Sequence, residues 1–309
     1  MRPKSITSLF KGAWGSVAEL LIASAFWGFG FVAARWALEA LNANEVTLVR
    51  FAVAAAVGLP FTLTKRARQV WKQNLRWSFV PAIFLLGTLI FQTWGLNYTT
   101  STKSGFITTL YVVFVPLLEA GLNKGRMPRS LWVCVAGALL GTALIVDFGF
   151  SEMNYGDFLT LICALLATAQ IYWLGIVSPR VKQPFAFNIY QAFWATLFCI
   201  PLVRWESFKA KLLGFGHWSP QVWIGLTSLA LGSTLIAFFL QVRAQKRLPP
   251  TVSSLIFLLE SPFAMVFSVL LLSESFHGRE AIGAILIFVS AMAATLIESR
   301  RRDVRVVGA

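Results

Sequence analysis

Acidic residues and histidines are scarce in this chain of 309 residues: 13 Asp and Glu stand against 27 Lys and Arg, and the two histidines are His217 and His277. Both histidines fall in connections between apolar runs. No HExxH occurs and no pair of aspartates lies within the runs, so nucleophilic, metal-assisted and aspartyl chemistry lack their groups. An intramembrane enzyme is therefore disfavoured, and neither cofactor nor metal is expected. Cysteine is equally sparse. Cys134, Cys163 and Cys199 lie in three different apolar runs without a CxxC partner, which reads as buried free thiols. Charged residues make up 13% of the chain, about half the share of a soluble domain. The longest loop, about 204–219, is too short for a soluble domain, which weighs against a receptor or scaffold.

What fills the chain is apolar. Ten runs lie near 19–38, 45–64, 77–97, 104–123, 130–147, 157–177, 187–203, 220–242, 250–272 and 280–297, with a mean hydropathy of +0.70 over the whole. A hydrocarbon core about 30 Å thick needs roughly 20 apolar residues of helix, because lipid offers no partner to a bare backbone amide. The expected fold class is an all-α membrane protein with ten transmembrane helices.

A net charge of +14 raises nucleic acid as a partner, so the positions of the charges decide. Twenty of the 27 Lys and Arg lie at the termini and on alternate connections, five on the other connections, and Arg35 and Arg50 lie inside runs. The positive-inside rule then puts both termini in the cytoplasm and requires an even number of spans. Scattered over six segments without a recognition motif, these residues do not make a nucleic-acid surface. The basic residues 1–16 precede a full-length run without a small-residue cleavage site, as in a retained first helix.

Five helices per copy, if duplicated, force the second copy to enter the membrane from the opposite side. Residues 104–145 overlay on 253–294 without a gap, matching Ser104 with Ser253, Ile107 with Ile256, Leu110 with Leu259, Phe114 with Phe263 and Leu122 with Leu271. Arg50 to Pro60 can likewise be laid on Gln191 to Pro201. Both copies share a helix interrupted by proline, at Pro116 and Pro262, followed by a helix rich in small residues. Two inverted five-helix repeats, 1–150 and 151–309, are expected, with the boundary in the acidic loop of Asp147, Glu152 and Asp157.

Four segments carry a family resemblance: Ala25 to Leu38 (AFWGFGFVAARWAL), Leu48 to Ala55 (LVRFAVAA), Thr100 to Leu118 (TSTKSGFITTLYVVFVPLL) and Leu258 to Glu274 (LLESPFAMVFSVLLLSE). Their order and spacing resemble the EamA family of the drug/metabolite transporter superfamily over nearly the whole chain. The resemblance implies an inner-membrane carrier, often an exporter, with two inverted repeats and no prosthetic group. One departure is visible: the second half ends its fourth helix in Leu272 to Glu274, where the first half has Asn123, Lys124 and Gly125.

A substrate path needs polar groups where lipid forbids them, so each such residue is a candidate. Glu260 lies near the middle of the ninth run, two residues before Pro262, on a face with Ser253, Phe257 and Ala264. It is the candidate for binding and for coupling to protons or cations; a structural pair with an arginine is the alternative. Arg50 lies about five residues into the second run, with Glu45 as its only local carboxylate, and is expected to bind an anionic part of the substrate or to order the outer gate. Trp27, Phe31 and Arg35 share a helix face, although Arg35 can also snorkel or pair with Glu39. Gln92, Tyr111, Gln170 and Gln191 complete the candidate binding set, with Pro116 and Pro262 as hinges. Gly137 and Gly141 are read as close helix packing or a dimer face, which leaves the oligomeric state open. The expected substrate is a small amphipathic metabolite moved by alternating access across the bilayer.

Overall fold

A computed structural model describes residues 6–95, 97–99, 104, 107–122, 127–146, 154–272 and 278–307. Lys103, Asn123 to Gly125, Asp147, Glu152, Ser273, Glu274 and His277 lie outside the described residues. No strand occurs among the described residues. The longer helices are α1 (Ile6–Leu38), α2 (Ala43–Thr62), α3 (Trp71–Gly95), α4 (Tyr111–Leu122), α5 (Arg129–Val146), α6 (Tyr155–Val177), α7 (Pro184–Cys199), α8 (Pro220–Ala244), α9 (Pro250–Leu271) and α10 (Gly278–Val307). Eight spans among the described residues are long and apolar enough to cross a membrane; Ile107–Leu122 and Arg129–Leu144 are apolar but shorter.

Helix starts are encoded locally. At α2 the Asn42 side chain accepts from Glu45 N at 3.0 Å, and Glu45 Oε2 accepts from Asn42 N at 2.7 Å. Asn154 and Asp157 repeat this reciprocal cap at α6, satisfying first-turn N–H groups that helix geometry leaves bare. Asp157, expected in a boundary loop, is therefore a cap residue. Thr99 Oγ1 also donates to it at 2.6 Å, which ties the end of α3 to the start of α6.

The packing is reciprocal. α1 packs on α8 and α9, while α6 packs on α3 and α4; α2 crosses α7, and α5 lies along α10. Small residues allow the last pair to close: a Cβ on Gly141 would lie 2.6 Å from Gly283 O, and one on Gly137 would lie 2.7 Å from Ser290 Oγ. The Gly137/Gly141 pattern is thus used inside one chain. Val133, Leu140, Ile282 and Ile285, on the same two helices, are 61–70% exposed and face lipid.

Two large apolar cores result among the described residues, beside a small third one of Leu174, Val177, Val181, Phe187 and Val242. One joins the start of α1 with α4, α5, the first half of α9 and α10; the other joins the end of α1 with α2, α3, α7 and α8. Trp27 packs against both.

α9 is interrupted at Leu258 and Leu259, between helical segments Pro250–Phe257 and Glu260–Leu272. Pro262 accounts for this break, having no N–H for the Leu258 carbonyl and a ring that crowds it. Ser261 N–H bonds that carbonyl instead, at 3.1 Å. In the first half the interruption falls at Leu110, and Pro116, expected to break the helix, lies inside α4. Every residue from Pro250 to Leu259 is buried, whereas none from Glu260 to Leu271 is fully buried.

Candidate functional site

Glu260 opens the second segment of α9 directly after its break, and Tyr111 opens α4 directly after Leu110. The ungapped overlay of the two halves makes these residues equivalent, and they meet. Tyr111 Oη donates to Glu260 Oε1 at 3.4 Å, from a buried ring to a partly exposed carboxyl. The face expected to join Ser253, Phe257, Glu260 and Ala264 presupposes an unbroken helix, and the break divides it. Ser253 is fully buried with its Oγ unpartnered among the described residues, while Ala264 is half-buried.

Trp27 of α1 packs on the first segment of α9, just before Glu260. Its ring lies edge-on to Phe257 at 5.1 Å and tilted against Phe238 at 5.2 Å, and its Nε1 donates to Ser233 O at 3.2 Å. The neighbouring Gly28 makes the approach possible, since a Cβ there would lie 2.8 Å from Glu260 O and from Ala264 N. A carboxyl, a phenol and an indole are thus held by three helices. Such a set can bind a cationic group against an aromatic face and exchange a proton with it.

A second polar group forms around the middle of α8, where Ser228–Ile236 is π-helical. A π turn offsets the backbone bonding of an α-helix, and side chains from neighbouring helices bond its carbonyls. Asn188 Nδ2 donates to Thr234 O at 3.2 Å and to Leu235 O at 2.9 Å, next to the Trp27 bond on Ser233. Arg50, 8% exposed, donates from Nε to Thr234 Oγ1 at 2.9 Å. Glu45, the acid nearest in sequence, is instead held by Lys211 at 2.7 Å. Gln191 is fully buried, and neither amide atom has a partner among the described residues.

The other sequence candidates divide. Gln170 and Gln241 exchange two hydrogen bonds, at 3.3 and 3.0 Å, a mutual pairing that satisfies both amides across α6 and α8. Phe31 is half-buried one turn beyond Trp27, and Arg35 is exposed, about 12 Å along α1 from Trp27. Gln92 is half-buried on α3, outside both groups of contacts.

Sequence reasoning passed over Asn188, Ser233, Glu19 and Glu119. Glu19 accepts from Arg243 Nε at 2.8 Å, and Glu119 accepts from Thr251 Oγ1 at 2.6 Å and Thr251 N at 3.3 Å. Both contacts tie the first half to the second where α8 ends and α9 begins. A polar residue in an apolar run signals that a partner exists, but not which helix supplies it.

The profile of the EamA-like transporter family matches this chain twice, over residues 15–147 and 154–296. An uncharacterized transporter of Archaeoglobus fulgidus is 30% identical over 281 residues, covering 90% of this chain and 84% of its own length. The uncharacterized transporter YetK of Bacillus subtilis is 23% identical over 314 residues, covering 96% of this chain and 91% of its own. One crystal structure shares the fold, with a TM-score of 0.69 at 20% identity over 92% of this chain and 98% of that one. With both copies of the profile matched and full-length relatives named as transporters, the chain belongs to the EamA-like transporter family.

Proposed function

We propose that this protein is a ten-span inner-membrane carrier that exports small amphipathic metabolites, amino acids or related amines and acids, by alternating access. The observation that carries this reading is the contact between Tyr111 and Glu260: equivalent positions of the two halves, each just after a helix break, meet at the junction of the halves. Broken helices with polar side chains at the junction of repeats are how carriers build a site in lipid. The reciprocal packing of α1 on α8 and α9, and of α6 on α3 and α4, supports inverted repeats. Export follows the family resemblance.

Glu260 is the coupling group in this reading. A proton and the cationic end of a substrate compete for its carboxylate, so a proton gradient can drive exchange. Glu260→Gln preserves size and leaves an amide oxygen to accept from Tyr111, so the fold should persist. In proteoliposomes, counterflow of labelled amino acids and amines should be measurable with the wild type, and Glu260→Gln should abolish gradient-driven uptake and flatten its pH dependence. Full gradient-driven transport by a well-folded Glu260→Gln protein would remove the coupling role.

A further inference from the structure

We propose that Arg50, Thr234 and Gln191 form a subsite for a carboxylate, so that the ligand bears an anionic end as well as the cationic end assigned to Glu260. The inference rests on the carrier reading above and narrows its substrate to amphipathic zwitterions with an apolar body.

Arg50 is a guanidinium with five N–H donors inside the apolar bundle, and among the described residues its one hydrogen bond is from Nε to Thr234 Oγ1. No carboxylate pairs with it among the described residues, where Glu45 is held by Lys211 and Glu19 by Arg243, and its guanidinium carbon lies 5.9 Å from the Phe51 ring centroid. A buried charge without a counter-charge is strongly unfavourable, and the planar fork that remains free matches a carboxylate in two parallel bonds. Gln191 supplies the independent second observation: it is fully buried, and both amide atoms lack partners among the described residues.

α2 and α7, which carry Arg50 and Gln191, pack against each other. α2 and α7 run antiparallel, with Gly58 against Ile189 near one end and Cys199 Sγ donating to Asn44 O near the other. Arg50 and Gln191 both lie between those contacts, and Asn188, one turn from Gln191, bonds the same Thr234 whose hydroxyl accepts from Arg50. Trp27 spans the two poles. Its Nε1 bonds the carbonyl next to Thr234, and its ring packs on Phe257, three residues before Glu260. An apolar body lying along Trp27 places its carboxylate at Arg50 and its ammonium at Glu260.

Two half-ligands separate the poles: 3-phenylpropionate has the anionic end only, and phenethylamine the cationic end only. Tryptophan fluorescence of the purified full-length protein should show saturable binding of 3-phenylpropionate, weakened by about tenfold or more in Arg50→Lys and Thr234→Val. Gln191→Leu replaces an unpartnered buried amide with an apolar group of similar size, so it should melt no lower than wild type and still weaken 3-phenylpropionate. Phenethylamine should respond more to Glu260→Gln than to these three changes. If 3-phenylpropionate fails to bind the wild type, or binds all three variants equally well, the subsite is overturned. A Gln191→Leu protein that melts lower with unchanged affinity would overturn it as well. Phenethylamine binding that still depends on Glu260 would then leave the carrier reading standing, whereas failure of both half-ligands on the wild type would remove both.

Discussion

At Gly28 the absence of a side chain is what allows α1 to touch the start of the second segment of α9. A methyl group there would meet the Glu260 carbonyl and the Ala264 nitrogen at 2.8 Å, and backbone atoms cannot swing aside as a side-chain tip can. Gly28→Ala should therefore destabilise the protein by about 1–3 kcal/mol, lowering the melting temperature of the solubilised protein by about 2–4 °C per kcal/mol. Gly121 has nothing among the described residues within 4 Å of its Cβ position, so Gly121→Ala should melt at or above wild type. Equal melting shifts in the two variants would show that helix propensity, not the α1–α9 contact, decides Gly28. At this scale Trp27, Arg50, Tyr111 and Glu260 were legible in the sequence as unusual residues in apolar runs. Their partners were not: Arg50 bonds Thr234, 184 residues away, and Tyr111 bonds Glu260, 149 residues away.

Among the helices, α9 shows most clearly what local signals achieve. Pro262 marks its break, whereas the break at Leu110 has no proline to announce it, and the π-helical middle of α8 carries no composition that separates it from an α-helix. The first segment of α9 begins with orphan N–H groups, and Glu119 of α4 bonds one of them at Thr251 along with the Thr251 hydroxyl. This clasp holds the end of α4 to the start of α9, as the buried run from Pro250 to Leu259 and the close approach of Gly175 to Pro250 hold that end of α9 in the bundle. Glu119→Ala should loosen this end by about 1–2 kcal/mol. A cysteine placed at fully buried Ser253, in a protein lacking the three native cysteines, should then react with a maleimide about 5–30 times faster. An unchanged rate would mean that apolar packing alone closes this end.

For the whole molecule, the distribution of charge and the helix packing meet at one end. Lys246 Nζ donates to Val181 O at 2.6 Å and Asn74 Nδ2 to Gln183 O at 3.4 Å, so the basic connections 65–76, 178–183 and 243–249 share one face of the bundle. Burial holds the Lys246 ammonium below the ordinary lysine range, and the charge of Arg247 adds to that. With 17 of the 27 Lys and Arg on these three connections and the termini, a reporter active only outside the cytoplasm and fused after Ala309 should be inactive. A strongly active fusion would remove the ten-span arrangement with both termini in the cytoplasm.

The sequence by itself determined the solvent, the fold class and the family: apolar runs long enough for a bilayer, basic residues on alternate connections and four family segments are properties of chemistry and order along the chain. It also determined caps such as Asn42 with Glu45, because their partners lie three residues apart. Only the tertiary structure decided that Tyr111 meets Glu260, that Gln170 is satisfied by Gln241 while Gln191 has no partner among the described residues, and that Arg50 reaches the π-helical turn of α8. The reason is physical: in lipid every helix satisfies its own backbone, so sequence fixes each helix locally. Which polar side chains face one another depends on how helices far apart in the chain are rotated and packed, and that is set by the fit of small residues such as Gly28, Gly58 and Gly141 against their neighbours.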